Sequence, residues 1–385
     1  MKRALHLLTL ALALALAVAP PLAAQTKLAP PPPEVQQTIQ SAIQKAQGGD
    51  LQGAIALLEP LRKPGAHPAA LSLLGSLYLE AGRSSDALAL LGPIAETDAA
   101  GPLILHNAAQ AALAEGQTER AEKYLQRAVR MAPGSPASRD LGLLLGQDGR
   151  LAESYGLLRP WALAHPDDSD ARLAAAFTAV ELQRAAEGEE LLKGLPADSP
   201  RVQLLHARLL TLENAPQGAI ALLEPLARNG PPELLPEVRR NLAKLYLGVG
   251  DSKQAVNLLQ GKVGDDTTLA VLLGRAQYRA GNLEAAIQVL APFAKAALTA
   301  GDPDAPGDRA AVAELELEYG QALAATSQWN EAIQALDRST KLNPKVLEAW
   351  QLLGRAQLAA GQREAAESSM AKVKELQGQQ KKPGG

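Results

Sequence analysis

The chain has 385 residues, of which 47% are apolar and only 3% aromatic; alanine and leucine carry the apolar content. Both are strong helix formers, and the aromatics that favour strands are scarce, so composition points to an all-α chain. Lys and Arg number 38 against 41 Asp and Glu, without the basic excess of a nucleic-acid binder. Zero cysteines exclude disulfides, thiolate metal sites, a cysteine nucleophile and the lipid-bearing cysteine of a bacterial lipoprotein.

The first element in chain order is an export signal. Lys2 and Arg3 precede an apolar run from Leu7 to Val18 broken only by Thr9, too short to span a bilayer. Small residues follow, and Leu22-Ala23-Ala24-Gln25 suits cleavage after Ala24. Ala17-Val18-Ala19 is the alternative site, with Pro20 against it. Residues 1–24 are thus expected to leave the mature chain, which then keeps no stable membrane anchor. Residues 25–34, with Pro30 to Pro33, form a proline-rich spacer.

From Val35 the chain is periodic. A glycine followed five residues later by alanine recurs at Gly49/Ala54, Gly82/Ala87, Gly116/Ala121, Gly250/Ala255, Gly281/Ala286 and Gly361/Ala366, and Gly149 continues the series with Ser154 in the alanine slot. The first three glycines are 33 and 34 residues apart. Leu-Gly pairs precede several of them, as at Leu74-Gly75, Leu141-Gly142, Leu273-Gly274 and Leu353-Gly354. The string Gly-Ala-Ile-Ala-Leu-Leu-Glu-Pro-Leu occurs at 53–61 and again at 218–226, an offset of 165, or five periods of 33. Leu71, Leu74, Gly75 and Tyr78 fall at three- and four-residue steps, the signature of one helix face. One such helix pair cannot bury its apolar face alone, so neighbours must stack.

These residues resemble the tetratricopeptide repeat family. Its unit pairs a bulky residue, Leu-Gly and Tyr on a first helix with a turn, Ala and a further apolar residue on a second. The second unit here reads Leu71, Leu74, Gly75, Tyr78, Gly82, Ala87, Leu91, and the last reads Trp350, Leu353, Gly354, Gly361, Ala366, Met370. The resemblance covers about ten units from Val35 to near Leu376 and implies a right-handed α-solenoid. Units near 169–198 and 199–232 lack the turn glycine, and the first has Gly188 where alanine belongs.

Prolines recur six residues after the small residue of the second helix, at Pro60, Pro93, Pro160, Pro225 and Pro292. They imply a shortened or kinked second helix, or freed carbonyls that bind something on the outer surface. Breaker-rich segments divide the chain into an array at 35–232 closed by Gly230-Pro231-Pro232, two units at 233–296, an inserted loop at 297–308, two further units at 309–376 and a polar tail at 377–385 that is expected to be disordered.

No His-Glu-x-x-His, Gly-x-Ser-x-Gly or phosphate-loop motif occurs. His67 and His165 each precede a proline between repeats, while His106 and His206 lie within first helices. Neither catalytic residues, a metal site nor a cofactor is indicated, and the chain reads as no enzyme.

The resemblance implies that first helices line a concave groove through fixed unit positions. There it places Arg240, Lys244, Arg275, Tyr278, Arg279 and Arg355, against a blander set in earlier units that includes Ser72, Ser76, His106 and Gln110. Arg240 and Lys244 are four apart and share a helix face. This is either a basic groove for an acidic ligand or peptide carboxylate, or a set of cations neutralised internally by Glu237, Glu314 and Glu348. The asparagines of the family's carboxylate-clamp subgroup are absent. The expected function is a non-catalytic protein–protein scaffold of the bacterial envelope, periplasmic or outer-membrane associated. The alternative is an accessory subunit of exopolysaccharide export or peptidoglycan machinery, which the shortage of aromatic platforms disfavours.

Overall fold

The computed structural model describes residues 30–63, 65–98, 100–301, 303 and 306–380. The export signal, its cleavage point and residues 25–29 of the spacer lie outside them. The described residues hold twenty α-helices, one short 3-10 turn and no strand, the all-α repeat fold expected. The chain divides into two compact units, one ending at Lys193 and the other starting at Gly194.

In the first unit the helices are α1 (Pro33–Gln47), α2 (Leu51–Leu58), α3 (Pro68–Glu80), α4 (Ser84–Ala95), α5 (Pro102–Ala114), α6 (Thr118–Met131), α7 (Pro136–Gln147), α8 (Leu151–Ala164), α9 (Ser169–Glu181) and α10 (Ala185–Leu192). The second unit has α11 (Pro200–Leu212), α12 (Pro216–Asn229), α13 (Leu235–Gly248), α14 (Ser252–Leu259), α15 (Thr267–Arg279), α16 (Leu283–Ala300), α17 (Pro306–Ala325), α18 (Trp329–Leu342), α19 (Leu347–Ala359) and α20 (Arg363–Gln380). They form ten consecutive pairs. Within a unit each helix packs on the next, and first helices also pack on first helices of neighbouring pairs, as α3 on α5 and α15 on α17.

Two local devices close every pair. The turn between its helices carries one residue in the left-handed region, a glycine in seven pairs but Gln183 (φ 58), Asn214 (φ 59) and Ser327 (φ 63) in the others. The missing turn glycines therefore did not remove the turn: those side chains tolerate a conformation that costs a non-glycine residue roughly 1–2 kcal/mol. Five residues on, a small residue is buried in every pair, including Gly188, Ala219 and Ala332. A glycine on the first helix of several pairs meets the leucine four residues beyond that small residue. A Cβ on Gly274 would stand 2.6 Å from the Leu290 side chain, and one on Gly320 2.6 Å from Leu336. The helices approach closer than any larger residue allows.

Tyrosines tie successive pairs. Tyr246 Oη donates to Glu224 Oε1 at 2.8 Å, and Tyr78 Oη donates to Glu59. Glu59 and Glu224 are the same residue of the repeated nine-residue string. Burial and this carboxylate push the Tyr246 hydroxyl up to about 12.

The recurrent prolines do not break the second helix in four of five cases. Pro93, Pro160, Pro225 and Pro292 sit inside α4, α8, α12 and α16, and only Pro60 stands in the 3-10 turn Glu59–Leu61 that ends α2. All five are exposed, as are Ala89, Gly156, Ala221 and Gln288 four residues before the internal ones. A carbonyl deprived of its partner by proline opens to water there, which makes the defect tolerable.

Several expected boundaries move. The segment at 297–308 is mostly helix, since α16 runs to Ala300 and α17 starts at Pro306. Ala294 to Ala300 is alanine-rich and continues its helix, while a proline suits the first helical position. The helix α20 likewise reaches Gln380, and α1 starts at Pro33 inside the expected spacer. Gly230-Pro231-Pro232 is no break, because Leu223 and Leu226 before it share one apolar core with Val238 and Leu242 after it.

Candidate functional site

The first helices α15, α17 and α19 surround a cavity of about 550 Å3 in the second unit. Arg275, Tyr278 and Arg279 line it from α15, Glu314 and Glu318 from α17, and Glu348 from α19. Three of the six expected site residues thus come together. Three carboxylates face two guanidiniums there, so the expected basic character is corrected.

Arg275 is held on both sides. Its Nε donates to Glu318 Oε1 at 2.8 Å and its Nη2 to Glu314 Oε1 at 2.7 Å. Burial raises the Glu318 carboxyl above its ordinary value, the Arg275 hydrogen bond draws it back, and the charges of Glu314 and Glu348 push it up again. Arg279 Nη1 donates to the Leu247 carbonyl at 3.1 Å. Glu348 is exposed and makes no ion pair among the described residues.

The same engagement runs along other first helices. Arg139 Nε donates to Asp168 at 2.6 Å in the first unit; in the second, Arg208 meets Glu237 at 3.6 Å and Arg240 meets Asp266 at 3.6 Å. Each pair links one helix pair to the next. Glu237 neutralises Arg208 rather than a groove cation, and Arg240 turns toward Asp266, the residue that caps α15. Lys244 and Arg355 are exposed, form no ion pair among the described residues, and do not line the cavity. The expectation that Lys244, Arg275 and Arg355 face one cavity is therefore corrected. The earlier units are not bland either: His106 Nε2 lies 2.7 Å from Asp140, which also accepts from Gln110 and Arg139.

The sequence profile of the tetratricopeptide repeat matches residues 106–162 and 317–380, which cover α5–α8 and α17–α20. Both segments carry tetratricopeptide repeats. Solved structures similar to it include MamA 41-end from Desulfovibrio magneticus RS-1, at 18% identity over 48% of this chain and 98% of that one, TM-score 0.40. A human IFIT1 dimer with m7Gppp-AAAA is 15% identical over 91% of each chain, TM-score 0.44. No curated protein matches the sequence. Proteins of tetratricopeptide repeats are in general non-catalytic scaffolds that bind protein or peptide partners.

One tetratricopeptide unit carries a feature that first-helix reasoning missed. In the second helix α6, Arg120, Lys123, Arg127 and Arg130 fall at i, i+3, i+7 and i+10, one face of a helix, beside a cavity of about 840 Å3. The spacing was legible, but the family's groove positions directed attention to first helices. Among the histidines, His67 Nδ1 accepts from the Ala69 amide at 3.2 Å and caps α3, while His165 stacks on Trp161 at 3.6 Å. Among the described residues no group of three metal-ligating side chains occurs.

Proposed function

We propose that this chain is an exported interaction scaffold of the bacterial envelope that captures a segment of a partner protein in the groove of α15, α17 and α19. The observation that carries the binding site is the cavity of about 550 Å3, open on first helices and edged by the exposed Glu348 carboxylate and the half-buried Tyr278. Because Arg275 is already matched by Glu314 and Glu318, the groove favours a segment that brings a basic side chain to Glu348, in place of the acidic one the sequence suggested. Such a cation would also relieve the repulsion between Glu348 and Glu318. The order of positive, apolar and small residues over 1–24 supports export.

The test is site-specific photo-crosslinking in envelope fractions, with the crosslinking residue at Tyr278. The expected result is one crosslinked partner, lost in Glu348→Lys, on a chain whose N-terminus is Gln25. An intact Met1 on envelope-located protein would refute export, and crosslinks unaffected by Glu348→Lys would refute the groove.

A further inference from the structure

We propose that the outward face of α6 in the first unit is a docking surface for an acidic helical segment of a protein partner. Four cations stand on this face and only two carboxylates, Glu96 and Glu119, line the same cavity of about 840 Å3. Of the cations, two are engaged within the fold. Arg120 donates to Glu96 Oε1 at 3.2 Å and to Tyr124 Oη at 2.7 Å, and Tyr124 in turn donates to Glu96 at 2.5 Å. Arg127 donates to the Thr97 carbonyl at 2.6 Å and to that of Ala95, fastening the end of α4. Glu96 is thereby neutralised from within, and its carboxyl is held low by the Tyr124 hydrogen bond and by Arg120.

Lys123 and Arg130 remain. Both are exposed and form no ion pair among the described residues, and they lie two helical turns apart on the same face. At 1.5 Å per residue the four cations span roughly 15 Å, with a neighbour at every third or fourth residue. Carboxylates at the same spacing on a second helix repeat at the same pitch, so each can meet a cation through a charge-assisted hydrogen bond. The surroundings favour a short acidic segment over a polyanion. Residues 30–193 carry 20 Asp and Glu against 14 Lys and Arg, so nucleic acid or an anionic lipid surface is repelled by the unit as a whole. The one aromatic ring in the cavity, Tyr124, is buried with its hydroxyl engaged and offers no stacking platform.

The probe is a labelled helix-forming peptide with glutamate at every third or fourth position, titrated by fluorescence anisotropy against the full mature chain. Its glutamine counterpart, a single-stranded oligonucleotide and phosphatidylglycerol vesicles form the other arms. The glutamate peptide is expected to bind, to weaken with added salt, and to bind at least about tenfold more weakly to Lys123→Glu/Arg130→Glu. Lys123→Gln/Arg130→Gln should fall between, so a fault specific to charge reversal cannot mimic the effect. Lys262→Glu, on an exposed turn of the other unit, should bind as the parent does. The proposal is overturned if the peptide fails to bind the parent chain, if the double reversal binds it unchanged, or if the oligonucleotide or vesicles bind through Lys123 and Arg130 while the peptide does not. None of these outcomes depends on crosslinking at Tyr278, so this surface and the groove stand or fall separately.

Discussion

The two charged regions, the groove of α15, α17 and α19 and the outward face of α6, use the same side chains to opposite ends. In the groove Arg275 faces carboxylates of the next helix pair, so its charge joins repeats. On α6, Arg120 and Arg127 turn inward to Glu96 and to the end of α4, while Lys123 and Arg130 are exposed and form no ion pair among the described residues. A cation in a repeat array is thus defined by what the neighbouring unit places opposite it, and unit position alone does not make it a binding residue.

Charge reversal should separate the regions most sharply. Arg275→Glu sets a third carboxylate beside Glu314 and Glu318 and should cost on the order of 3 kcal/mol, whereas Lys123→Glu should stay within about 0.5 kcal/mol of the parent. Urea denaturation of both variants measures this, and equal midpoints would erase the distinction.

The buried acids of α17 add a pH dependence to the second unit. Glu316 is 2% exposed, and burial pushes its carboxyl up to about 7 although Arg338 at 3.4 Å draws it back. The native state then binds this proton more tightly than the unfolded chain. Stability contributed by the protonated form is present at low pH and lost as pH rises from about 4.5 to about 7, on the order of 3 kcal/mol. Glu318 acts in the same direction. Thermal melts from pH 5 to 8 should show a falling midpoint, and Glu316→Gln should flatten the curve.

Packing and turns give smaller effects. Ala286→Leu and Gly274→Ala both overfill the contact between α15 and α16 and should cost roughly 1–3 kcal/mol; a neutral result in either would mean the helices can part. Gln183→Gly should raise stability by up to about 1 kcal/mol by relieving a left-handed backbone, and Gly82→Gln should lower it.

Much of the fold was legible because its signals are local. The five-residue step from turn to small residue marks seven of the ten pairs directly, and the remaining three keep it with Gln183, Asn214 and Ser327 in the glycine's place. What local patterns could not show is context. The same nine residues end α2 in a 3-10 turn at 59–61 but run through the middle of α12 at 218–226. Lys63, which precedes a proline in the sequence, resists helix after the first copy, whereas Ala227 and Arg228 extend the second. The charge of the groove was hidden for a similar reason. Glu318 lies 43 residues beyond Arg275, and the dozen residues inserted between their units displace it from the usual spacing.

The central claim is that Arg275 staples its repeat to the next while Lys123 and Arg130 on α6 stay available. A double-mutant cycle on Arg275→Met and Glu318→Leu tests it most directly, with unfolding free energies of the parent, both single variants and the double. The account predicts a coupling of at least about 1 kcal/mol, with Lys123→Met costing almost nothing alongside. A coupling indistinguishable from zero would show Arg275 to be as free as Lys123 and would contradict it.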